Sequence, residues 1–154
     1  IRDRIILARH AFATHLTELY LWKRDPNLIG ACGRCANAYV LEGHQDRWDI
    51  SDYPSFLQTG YYYMALYGPP ETTVTLFASR NYTTERGFLI VIKLDKRPVL
   101  IRDLEEFPKN EWVARDPTEE GTGSFRAYYF PHKFFKGSIT SVKWRQWWTQ
   151  LPPT

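Results

Sequence analysis

Cys32 and Cys35 stand in the run Cys32-Gly-Arg-Cys35. Two thiolates at that spacing can share one zinc ion, because the intervening turn points both sulfurs inward. A closed structural site needs two more ligands, and His15 with either His10 or His44 supplies them. A free or redox-sensitive thiol pair is the other reading of the same residues. A single pair cannot build the disulfide framework of a small stapled fold. Cations interleaved with rings offer a second chemistry, at His132-Lys-Phe-Phe-Lys136 and Lys143-Trp-Arg-Gln-Trp-Trp148. Lysines can neutralise phosphates while rings stack on bases, so these segments suit a basic, aromatic-rich module for nucleic acid or protein. Trp147 and Trp148, ahead of Pro152-Pro153, also suit an interface anchor in a structural subunit of a larger assembly. Asn81-Tyr-Thr83 fits the acceptor pattern for N-linked glycosylation.

Bulk properties set the frame for these residues. The 154 residues suit a single domain spanning 1–154. Hydrophobic residues make up 44% and charged residues 24%, which excludes an intrinsically disordered or collagen-like chain. A net charge of +3 is too small by itself to argue for nucleic acid. No apolar run is long enough for a membrane-spanning helix. Aromatics reach 16%, which favours strands, where rings fit a pleated and half-buried surface.

The elements that must position the candidate residues follow from periodicity. Residues 4–20 carry Ile5, Ala8, Phe12, Leu16 and Leu19 at three- and four-residue steps, which predicts an amphipathic helix. Leu19-Tyr-Leu-Trp22 also suits a strand. Tyr53-Pro-Ser-Phe-Leu57 predicts a short helix with Pro in its first turn. Strands are predicted over 61–66, 72–78, 87–94, 99–103, 125–130 and 139–144, with the 87–94 run apolar enough to be buried on both faces. Residues 105–123 read as a polar surface excursion. The expected class is therefore α+β: an N-terminal helix followed by a mostly antiparallel, strand-rich core.

The closing segment from Arg126 to Trp144, with Tyr128-Tyr-Phe-Pro131 and Ile139, resembles that of mono-ADP-ribosyltransferase toxins of the pertussis and cholera type. In that family a catalytic glutamate is followed by a turn and, 12 positions later, by an Ile that starts the final strand. Counting 12 back from Ile139 reaches Ala127. Leu21-Trp-Lys-Arg-Asp-Pro-Asn-Leu-Ile29 is similar to the family's first strand and turn, and Leu76-Phe-Ala-Ser79 to its Ser-Thr-Ser strand. The resemblance implies a split-sheet transferase frame and NAD as substrate, cleaved at the nicotinamide–ribose bond. Arg24 would hold the phosphates, Ser79 would support the site, and Tyr61, Tyr62 and Tyr63 would clamp the nicotinamide. It further implies a protein or nucleic-acid acceptor, a partner or immunity protein, and a secreted or delivered effector. With Ala127 in place of the glutamate, the carboxylate that stabilises the oxocarbenium-like transition state is missing. The implied form is inactive, either through an inactivating substitution or as a pseudoenzyme that still binds a nucleotide.

Overall fold

The structure, a computed structural model, describes residues 16–22, 38–50, 63–119, 121–131, 135 and 138–153. Nine strands run through them: β1 (Glu18–Trp22), β2 (Ala38–Glu42), β3 (Tyr63–Tyr67), β4 (Thr73–Phe77), β5 (Phe88–Lys93), β6 (Val99–Ile101), β7 (Trp112–Arg115), β8 (Phe125–Phe130) and β9 (Ser141–Trp144). A 3-10 turn at Arg80–Tyr82 follows β4. The α+β expectation fails, because the described residues contain no α-helix and form two antiparallel sheets. Residues 18–20, placed at the end of the predicted N-terminal helix, open a strand. Residues 1–15 and the predicted short helix at 53–57 lie outside the described residues.

The physical reason for the correction lies in β1. Its two leucines alternate with Glu18 and Tyr20, so a strand puts both on one face. Leu19 pairs with Leu41 on one side and Leu66 on the other, and Leu21 pairs with Met64. Both leucines are fully buried. A helix over the same residues would spread Tyr20 and Trp22 around its surface and leave the neighbouring strands unpaired.

The first sheet runs β2-β1-β3-β6 and the second β7-β8-β5-β4-β9. The inward residues of both belong to one apolar cluster. Leu19, Leu21, Met64, Leu66, Val99 and Ile101 come from the first sheet, and Val74, Leu76, Leu89, Val91, Ala127 and Val142 from the second. The described residues thus form a β-sandwich with an apolar interior.

The second sheet is also covered on its outer face. Phe77, Phe88, Ile90 and Tyr128 point away from the interior and are met by Trp147, Trp148 and Leu151. Trp147 packs on Phe77 and Phe88 with ring centroids 5.3 and 5.2 Å apart. Its indole N–H donates to the buried Thr75 Oγ1 at 2.8 Å. This second cover explains why β5 is apolar on both faces. It also packs Trp147 and Trp148 against the sheet as half-buried residues. Replacing Trp147 removes the ring contacts and strands a buried hydroxyl. Trp147→Ala is expected to cost about 2–4 kcal/mol in a denaturant melt. A loss below about 0.5 kcal/mol would show that the C-terminal stretch does not hold the sheet.

Candidate functional site

Among the described residues, those singled out from the sequence do not converge. Arg24, Tyr61, Tyr62, Cys32, Cys35 and His15 lie outside the described residues. Ser79 closes β4. Its hydroxyl donates to the Thr83 carbonyl at 2.7 Å, and its own carbonyl accepts from Ser141 Oγ at 2.6 Å. It therefore ties the 79–83 turn to β9. Ala127 sits in mid-β8 between Val91 and Val113, with no exposed surface and only apolar company. Tyr63 is on the outward face of the first sheet, grouped with Tyr67 and Leu100. The end of β4, the sandwich interior and an outer face are three separate places, so Ser79, Ala127 and Tyr63 do not compose one active site.

The described part of the second basic, aromatic segment makes contacts within the fold. Residues 132–134 and 136 lie outside the described residues. Trp144 is buried in the core, and its indole donates to the Gln45 carbonyl at 3.1 Å. Lys143 Nζ sits 4.4 Å from the centre of the Tyr82 ring and 3.1 Å from Asp46 Oδ2. The Trp144 ring is thus committed to the core, and the Tyr82 ring is met by a lysine.

A different group of residues does surround one space. A cleft of about 270 Å³ opens beside β6 at the rim of the sandwich. Tyr63, Leu100 and Arg102 come from the first sheet; Arg115 and Phe125 come from the second. Glu106 comes from the connection between β6 and β7, and Asp116, Thr118 and Thr122 from the one between β7 and β8. Arg115 is held in position, since its guanidinium lies 5.6 Å from the Phe107 ring, which meets Phe125 edge-on at 6.1 Å. Burial pushes the Glu106 carboxyl above its usual range, opposed by the Arg115 charge and assisted by Asp103.

One wall of the cleft is a cross-braced turn. Thr122 Oγ1 accepts the Leu100 N–H at 2.9 Å, and Gly123 N–H donates to the Pro98 carbonyl at 2.7 Å. These bonds cap the edge of β6. A Cβ at Gly123 would collide with Asp95 and Arg97, so only glycine permits this approach. Asp95 accepts from both the N–H and hydroxyl of Ser124 at 2.9 Å, and from the Arg97 N–H at 2.8 Å. Burial alone would raise its carboxyl, but these bonds and the Lys93 charge hold it below the usual carboxylate range. Lys93 is fully buried and donates to the Arg97 carbonyl. Burial pulls its ammonium down to about 8 against the attraction of Asp95.

Chemically, the cleft combines two guanidiniums, two carboxylates, two hydroxyls and a phenol ring. Guanidiniums recognise phosphate or carboxylate with paired hydrogen bonds. Carboxylates accept from sugar hydroxyls, and a ring supplies a stacking face. Sequence reasoning missed Arg102, Glu106, Arg115, Asp116, Thr118 and Thr122. The available signals were the Gly121-Thr-Gly123 turn and the Arg that ends each of two apolar runs. Among the described residues, no group of three or more His, Cys, Asp or Glu side chains could hold a metal ion. The proposed zinc ligands, His44 apart, are outside them. No helix among the described residues is long and apolar enough to cross a membrane. Compared with known proteins, the chain matches no family model, no curated sequence and no solved structure at a significant level.

Two outcomes are expected from this geometry. A glutamate at 127 would bury a carboxylate among aliphatic side chains, at a cost of several kcal/mol. Ala127→Glu should melt well below the parent chain and release no nicotinamide from NAD. A stable variant that does release it would restore the transferase reading of position 127. The second outcome concerns pH. The folded chain releases the Lys93 proton near pH 8, whereas the unfolded chain holds it to about 10.5. The unfolded state therefore binds more protons between those values, and stability should rise with pH across that window. Above it the slope reverses, because burial holds the Tyr128 and Tyr129 hydroxyls above their usual range. Lys93→Met should flatten the rise in melting temperature between pH 8 and 10; an unchanged slope would rule out Lys93 as its source.

Proposed function

We propose that this chain is a nucleotide-binding β-sandwich that holds its ligand without turning it over, in the cleft beside β6. The observation that carries the reading is the convergence of Arg102 and Arg115 with Glu106, Asp116 and Tyr63 around one space of about 270 Å³. Each part has a partner on a ribonucleotide. The guanidiniums face the phosphates, a carboxylate accepts from the ribose diol, and Tyr63 offers a face to the base. The volume suits one nucleotide, which is the ADP half of a dinucleotide rather than the whole of it. The transferase resemblance supports the same ligand class, since NAD and ADP-ribose both carry that half. Turnover is not part of the reading, because Ala127, the position the resemblance assigns to the carboxylate, is buried in the interior and does not line the cleft.

Calorimetric titration with ADP-ribose, NAD and inorganic phosphate tests the proposal. ADP-ribose and NAD are expected to bind with similar affinity, and phosphate more weakly. Arg102→Ala and Arg115→Ala should each weaken ADP-ribose about tenfold or more, the loss of one charge-assisted contact. Lys143→Ala, remote from the cleft, should change nothing. No binding of either nucleotide, or full affinity in Arg115→Ala, would overturn the reading.

A further inference from the structure

The 3-10 turn after β4 carries Asn81 between Arg80 and Tyr82, with Thr83 next, which is an unbroken Asn-x-Thr acceptor pattern. Asn81 is exposed and adopts φ 57°, ψ 29°. That left-handed conformation is one asparagine tolerates better than most residues. Its backbone N–H donates to the Trp48 carbonyl at 3.0 Å, so the main chain is fixed while the side-chain amide points to solvent without a hydrogen-bond partner among the described residues. Trp48 is the most exposed large apolar residue among them, at 57%. The Trp48 backbone is therefore held beside Asn81, and its ring is left largely uncovered. Next to it, Arg80 pairs with Asp49 at 3.0 Å, which braces the two segments against each other.

An isolated exposed tryptophan is unexceptional, and so is an isolated acceptor pattern. Here a backbone hydrogen bond holds the two side by side. We propose that Asn81 is an N-glycosylation site and that Trp48 is the platform for the first sugar. The donor would be a lipid-linked oligosaccharide diphosphate of a secretory compartment. Asn81 Nδ2 forms a bond to the anomeric carbon of the first N-acetylhexosamine. The bond from that carbon to the diphosphate oxygen breaks, one amide proton is lost, and the lipid diphosphate departs. Thr83 supplies the hydroxyl the acceptor pattern requires. In the folded chain that hydroxyl is shared with Ser79 Oγ at 2.6 Å, so transfer precedes closure of the turn. The attached sugar then lies over the apolar face of the indole, as aromatic rings commonly hold pyranose rings.

The test is secretion of the full chain behind a leader peptide from a eukaryotic host, read by intact mass before and after N-glycosidase treatment. The expected result is one glycan that Asn81→Gln and Thr83→Ala abolish and Thr83→Ser keeps. A secreted, folded parent chain without a glycan at Asn81 would overturn the site. Trp48→Ala tests the platform separately. It should lower the melting temperature of the glycosylated chain by more than that of the enzymatically deglycosylated one. Equal losses in the two forms would overturn the stacking role.

Discussion

The apolar layer between the two sheets is the constraint on which the remaining structure depends. Leu19, Leu21, Met64 and Leu66 press from one side, and Val91, Ala127 and Val142 from the other. Residues facing each other across a sandwich interior must fill about 10 Å between sheets, and a polar group placed there loses its water. Once that space is filled with aliphatic side chains, no charged ligand can be held between the sheets. Any recognition of an anion must move to the rim, where guanidiniums stay solvated and still meet a wall.

The rim is shaped by how the strand edges are closed. Unpaired edges invite association, and folds cover them. On the second sheet, Arg47 exchanges two backbone bonds of 2.9 Å with Val142, and the Ile50 N–H donates to the Thr140 carbonyl at 2.7 Å, so β9 is sealed. On the first sheet, Thr122 and Gly123 seal β6. That cap is not a strand, so it leaves a gap against β7 instead of continuing the sheet. The cleft is that gap. Its rigidity comes from a costly device, a fully buried lysine kept charged near neutrality by Asp95 and a carbonyl. The same network that closes the edge therefore fixes one wall of the candidate site.

Much of this was legible where one residue run carries one signal. The apolar run at 87–94 is β5, and the β-branched run at 72–78 contains β4. The strands β1 and β7 were hidden for opposite reasons. In β1, Leu19 also ends a helical stripe that runs upstream through Leu16 and Phe12, so periodicity over 4–20 favoured a helix where residues 18–20 form a strand. In β7, Trp112-Val-Ala-Arg115 is a partly exposed edge strand set among charges, and its two-residue alternation is too short to stand out. The cleft was hidden for a third reason. Its residues come from two sheets and two connections, and only the pairing of β3 with β6 and of β7 with β8 brings Tyr63, Arg102 and Arg115 to one rim. No local pattern encodes that juxtaposition.

The spacing that suggested a transferase has a topological origin here. β8 and β9 lie three strand positions apart, with β5 and β4 between them. Phe130 pairs with Phe88, Phe88 with Phe77, and Phe77 with Ser141, so the end of β8 and the start of β9 lie on one row across the sheet. That row is about 14 Å wide at the usual strand spacing. Phe130 and Ser141 are the two ends that the connection must join. Buried Phe135, 5.4 Å from Tyr129 by ring centroids, and Ile139 pin it to the core. The interval from Ala127 to Ile139 is thus the remainder of one strand plus the connection needed to reach the far edge and dock there. Any sandwich with this strand order needs a similar interval, whatever side chain occupies its first position. The interval therefore speaks to how the chain crosses the sheet. The chemistry has to be read from which residues reach the rim, and those are Arg102 and Arg115.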